Sequence, residues 1–145
     1  NALMTLIQLY ERTGNYEQMN NMYARLIRQY LSQGDKEGAL YAYDGLLSAF
    51  PEDEVNPKLF IRDWMVICEY LRESGMVKEA AVEYERLIKA CADDPLVVRA
   101  CVQGGEAALM AQDRERALRL FERATSLNPP LAYQSRIARG LARNK

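Results

Sequence analysis

The side chains in this chain that could do chemistry are few, and one type is missing. There is no histidine, which removes the commonest general base and the commonest metal ligand. A Ser-His or Cys-His nucleophilic pair is therefore impossible. The three cysteines, Cys68, Cys91 and Cys101, lie among apolar neighbours, and none has CxxC spacing. They read as buried reduced thiols, not as metal ligands or a disulfide framework. Carboxylates gather at Glu52, Asp53 and Glu54, but adjacent acids without a glycine-bearing loop make poor calcium ligands. The pairs Glu83/Glu85 and Asp93/Asp94 lack the geometry of opposed acids across a cleft. No catalytic residue, cofactor or metal is expected, and the chain does not read as an enzyme.

Arginine is the type that remains. Residues 1–50 carry 4 basic and 5 acidic groups, residues 51–95 carry 6 and 11, and residues 96–145 carry 9 and 4. The overall charge of −1 thus hides an acidic middle and a basic end, a surface field that hints at partner charge. The basic end holds Arg114, Arg116, Arg119, Arg123, Arg136, Arg139 and Arg143. A nucleic-acid surface is a weak reading of it, because no stacking aromatics are interleaved.

These side chains must be positioned by helices. Of 145 residues, 49% are hydrophobic and 27% charged, an ordinary globular balance for one domain. Apolar runs are too short to span a membrane, and no signal peptide is present in the stretch given. The chain begins at Asn1, close to an apolar helical pattern, and so reads as a fragment of a longer protein. Reduced thiols point to a cytoplasmic setting.

Apolar residues recur at helical spacing throughout. Leu3, Leu6, Ile7 and Tyr10 mark a helix over about 2–13, closed by Gly14. Asn15, with Gln18 three residues on, caps a second helix over about 15–33, whose stripe is Met19, Tyr23, Leu26, Ile27 and Tyr30. Gly34 and Asp35 repeat that punctuation before a third helix over 36–50, with Ala39, Leu40, Tyr43, Leu46, Leu47 and Phe50 inward. The loop PEDEVNP follows, and Asn56-Pro57 opens the next helix.

Residues 61–95 read as a helix, a tight turn at Gly75 and a second helix, with Ala80 and Ala81 where the two should cross closely. Asp94-Pro95 caps a sixth helix over 95–111. Its Gly104-Gly105 pair points to close helix contact, since interior glycine costs about 1 kcal/mol each relative to alanine. It is not a phosphate cradle, for no strand precedes it and no Lys-Ser/Thr follows. A seventh helix covers 114–127, with Ala117, Leu118, Phe121 and Ala124 inward. Pro129-Pro130 breaks it, and an eighth covers 131–143, with Leu131, Tyr133, Ile137 and Leu141 apolar. The nine Tyr, three Phe and one Trp fall mostly on such stripes, as core residues do.

The pattern repeats. Ala39, Ala80 and Ala117 open the second helices at spacings of 41 and 37, and Tyr43, Tyr84 and Phe121 follow each by four. Glycine precedes by five at Gly34 and Gly75, with Gln112 in the third copy. In the first helices Tyr23, Trp64 and Cys101 correspond, as do Leu26, Ile67 and Gly104.

With Trp64, Ile67, Cys68, Leu71, Gly75, Ala80 and Tyr84 as its strongest unit, residues 20–130 resemble the tetratricopeptide (TPR) family. The resemblance implies an all-α fold, a right-handed superhelix of about three helical hairpins (about 20–53, 58–94 and 95–130) within a single domain, 1–145. An extra helix, 2–13 and 131–143, stands at each end. It also implies a protein-interaction module or scaffold in which the first helices line a concave face that holds a peptide or helix of a partner protein. On that face the expected contacts are Asn21, Arg25, Arg28, Arg62, Met65, Glu69, Arg72, Arg99, Gln103 and Glu106. Met65 and Val102 stand where the family's carboxylate-clamp lysine would be, and Glu69 and Glu106 where an asparagine would, so a clamp on a chaperone tail is not expected. The alternatives are an acidic partner or nucleic acid on the basic C-terminal surface, and self-association through the solenoid ends.

Overall fold

Local punctuation sets the helix ends. The computed structural model describes residues 2–51 and 54–144. Among them are eight α-helices and no strand: α1 (Ala2–Thr13), α2 (Tyr16–Ser32), α3 (Lys36–Ala49), α4 (Ile61–Glu73), α5 (Val77–Ala90), α6 (Leu96–Met110), α7 (Arg114–Ser126) and α8 (Leu131–Arg143). This is the all-α repeat fold that the sequence pattern implies. Most boundaries fall within a residue or two of those expected. One differs: Asn56-Pro57 opens a short 3-10 turn, Pro57–Phe60, and α4 begins only at Ile61. Asn56 makes no side-chain cap there. Glu52 and Asp53 of the acidic loop lie outside the described residues.

Four of the connections are the same turn. After α1, α2, α4 and α6 one residue adopts positive φ: Gly14 at 68°, Gly34 at 74°, Gly75 at 85° and Gln112 at 61°. Its N–H bonds the carbonyl three residues back, and the next N–H bonds the carbonyl five back, as in Gly34 to Leu31 and Asp35 to Tyr30. Gln112 to Leu109 and Asp113 to Ala108 repeat the pair. This closes the orphan carbonyls of the helix end. The following helix is then capped by Asn15 on the Gln18 N–H, Asp35 on the Gly38 N–H and Asp113 on the Arg116 N–H. Met76 has no such side chain.

Two compact units divide within α4, Asn1–Ile67 and Cys68–Lys145. In the first, α2 packs against α1, α3 and the 3-10 turn. Trp64 is fully buried among aromatics, its ring 5.9 Å from Tyr43 and 6.1 Å from Phe60. Buried Asn20 staples the long loop to α2: its amide donates to the carbonyls of Tyr16 and Glu54, and its oxygen accepts from the Asn56 N–H.

In the second unit α6 packs against α5, α7 and α8, and α7 packs against α8. The glycine pair in α6 makes this possible. A Cβ on Gly104 would lie 2.8 Å from the Tyr84 Cβ, and one on Gly105 would lie 2.7 Å from the Phe121 ring. The close contact expected of this pair is therefore present. Leu118, expected to face inward, is exposed, and so is Leu131, read as an apolar position of the eighth helix. Leu120 is buried in α7 instead, because the inward face runs through 117, 120, 121 and 124. Leu131 stands at the first position of α8.

Candidate functional site

The ten residues expected to face a partner meet different fates. In the first unit Asn21 is half-buried, and Arg25, Arg28 and Arg62 are exposed. The Arg28 Nε donates to the Asp63 carboxylate at 3.3 Å. Met65, at 3% exposure, belongs to the core.

In the second unit the remaining five form a polar row. Arg99 on α6 donates to Glu69 on α4 at 2.6 Å. Arg72 on α4 approaches Glu106 on α6 at 3.7 Å. Gln103 is buried, and its amide oxygen accepts from the Tyr84 hydroxyl at 2.9 Å. Burial, chiefly, raises the Tyr84 phenol above its ordinary range, so it is a neutral donor.

Arg136 of α8 completes this row, donating to both oxygens of Glu106, with its Nε at 3.1 Å. Glu106 thus receives arginines from two different helices. Around it lies a cleft of about 690 Å³. The ends of α4 (Arg72, Glu73) and α6 (Leu109, Met110) form two walls. The third wall is α8, through Arg136, Arg139 and Arg143. No salt bridge joins Arg139 or Arg143 to a carboxylate among the described residues.

The basic C-terminal set therefore divides by helix. On α7, Arg116 and Arg119 pair with Glu85 of α5 at 3.1 and 3.4 Å. Burial alone would raise the Glu85 carboxyl, but the two guanidiniums outweigh it and hold it below its usual value. The α8 arginines face the cleft instead. The sequence reading put Arg72 and Glu106 in one set and Arg136, Arg139 and Arg143 in another, and the structure joins them. One signal was available: Arg62, Arg99 and Arg136 recur at intervals of 37 residues, as do Glu69 and Glu106.

Such a cleft offers hydrogen-bond donors in forks that match planar oxyanions. The thiols of Cys68 and Cys101 are buried and free. Burial pushes Cys101 up to about 11, against a smaller opposing effect of Arg123. Among the described residues no three His, Cys, Asp or Glu side chains gather in a way that could hold a metal. No helix among them is long and apolar enough to cross a membrane.

Comparisons with known proteins agree with this architecture. A tetratricopeptide-repeat family model matches residues 1–30, which take in α1, its glycine turn and most of α2. That stretch lies mostly outside the residues carrying the sequence resemblance. No curated protein matches the sequence. Two solved structures of nearly identical TPR-like repeats, from a Podosopora anserina protein assigned as a kinesin light chain, share the fold. One, a single-substitution variant, aligns at TM-score 0.62, and the other at 0.61. Each is 15% identical and covers 99% of this chain and 85% of its own. With its four recurring glycine-type turns, the chain has the fold of TPR-like helical repeats.

Proposed function

We propose that this chain is a non-catalytic protein-interaction module that holds a peptide or helix of a partner on the face made by the first helices of its hairpins. TPR-like folds generally mediate protein–protein interaction. The observation that favours the reading here is the cleft at the ends of α4, α6 and α8. A concave site walled by successive first helices suits a chain segment better than a small reactant. Arg25, Arg28 and Arg62 are exposed on the first unit. Glu69 and Arg99 bond each other, and the Gln103 oxygen accepts from the Tyr84 hydroxyl.

The test is affinity capture with the chain as bait, comparing the native sequence with Arg62→Glu and Arg99→Glu, each checked for native helicity. A partner protein held by the native chain and released by either substitution supports the reading. A partner held equally by all three, or none at all, counts against it.

The acidic-partner alternative also draws support from a specific feature, Arg139 and Arg143 of α8, which have no carboxylate partner among the described residues. Self-association through the ends is tested by sedimentation at several concentrations.

A further inference from the structure

Resting on the reading of the chain as a protein-binding module, we infer that the α4–α6–α8 cleft selects an extended acidic segment of a partner, with carboxylates on alternate residues and an apolar side chain beside them. Three observations carry this. The first is charge. Four arginines and two glutamates line the cleft. Arg72 and Arg136 are already directed at Glu106, while Arg139 and Arg143 have no carboxylate partner among the described residues. The cleft is therefore left with two uncompensated guanidiniums, which favour ionised carboxylates in a partly enclosed site.

The second is spacing. Arg139 and Arg143 stand one helical turn apart, so their side chains leave α8 about 5–6 Å from each other. Alternate residues of an extended chain are about 6.6 Å apart on one side. An extended segment can thus present two carboxylates in step with the two arginines.

The third is the remaining wall. Met110 is 61% exposed beside half-buried Leu109, an adaptable apolar surface next to the charges. A nucleic acid fits less well. Glu73 and Glu106 would repel its phosphates, and the nearby Tyr133 ring is covered by the Arg136 guanidinium at 5.7 Å, so it is not free to stack bases.

The experiment is fluorescence anisotropy with a short labelled peptide carrying glutamate on alternate residues and one leucine. Comparison probes are the same peptide with glutamine for glutamate, and a single-stranded oligonucleotide of equal charge. The native chain is expected to bind the acidic peptide, more weakly as salt is raised, and the glutamine peptide at least about tenfold less tightly. Arg139→Glu with Arg143→Glu is expected to weaken the acidic peptide by about tenfold or more. Lys36→Glu, exposed and distant in sequence, is expected to leave binding unchanged, and circular dichroism reports whether each variant is folded. Equal binding by the double variant overturns the inference, and so does tighter binding of the oligonucleotide. Sedimentation showing that the cleft arginines mediate pairing of two copies of this chain overturns it too. A captured partner that depends on Arg62 and Arg99 but not on Arg139 and Arg143 overturns the acidic cleft while leaving the interaction module standing.

Discussion

Glu69 accepts a 2.6 Å hydrogen bond from Arg99, and 37 residues further on Glu106 and Arg136 occupy the same two positions and form the same pair. The link runs first between α4 and α6 and then between α6 and α8. Both pairs are part-exposed, so each contributes modestly. A double-mutant cycle on Glu69→Gln and Arg99→Gln, read by urea unfolding, should give a coupling of about 0.5–1 kcal/mol. A coupling indistinguishable from zero would show that the pair does not fix the spacing of these helices.

Trp64 is fully buried against Tyr43 and Phe60. Truncation removes a large apolar surface and leaves a cavity that the flanking rings can fill only in part. Trp64→Ala should therefore destabilise by about 3–5 kcal/mol. A loss below about 1 kcal/mol in chemical denaturation would mean that the aromatic cluster is not part of the core.

Gln112 holds φ 61° where the three equivalent turns have glycine. A side chain in this conformation costs about 1–2 kcal/mol, and part of the gain on removing it is lost to the greater freedom of glycine when unfolded. Gln112→Gly should raise the unfolding free energy by about 0.5–1 kcal/mol. Gly34→Ala, at φ 74° with open space around it, should lower it by a similar amount, from backbone strain alone. Thermal unfolding of the two variants measures both signs.

Cys68, Cys101 and Tyr84 all titrate above their ordinary values, chiefly through burial. Each is neutral when protonated. Below the unfolded values, about 8.5 for a thiol and about 10 for a phenol, both states keep the proton and stability is fully present. As pH rises further, the unfolded chain ionises first, and stability is lost through the folded values. Unfolding free energy should therefore begin to fall near pH 8.5, with the Cys101 contribution extending to about 11. Cys101→Ala should flatten that part of the decline. A pH profile unchanged by the substitution would contradict a buried neutral thiol.

Helices and turns were legible because their signals are local. A glycine followed by Asn or Asp, as at Gly14-Asn15 and Gly34-Asp35, ends one helix and caps the next wherever it occurs. The Gly104-Gly105 pair declared a close contact for the same reason, since little else explains it inside a helix. Leu118 misled because apolarity was taken as burial, and single exposed leucines are ordinary. Met65 and Gln103 were read as facing a partner, yet both are buried, which no single-helix periodicity can register. The cleft was least legible. Arg72, Glu106 and Arg139 come from three helices, and only packing decides which charges pair and which remain free.

The central claim, that the ends of α4, α6 and α8 receive an acidic segment, is tested most directly by amide chemical-shift mapping on isotope-labelled protein titrated with the glutamate-leucine peptide. The expected result is saturable shifts concentrated at Arg72–Glu73, Glu106–Met110 and Arg136–Arg143. Shifts centred instead on α5 and α7 around Glu85 and Arg119, or no shifts at all, would contradict it.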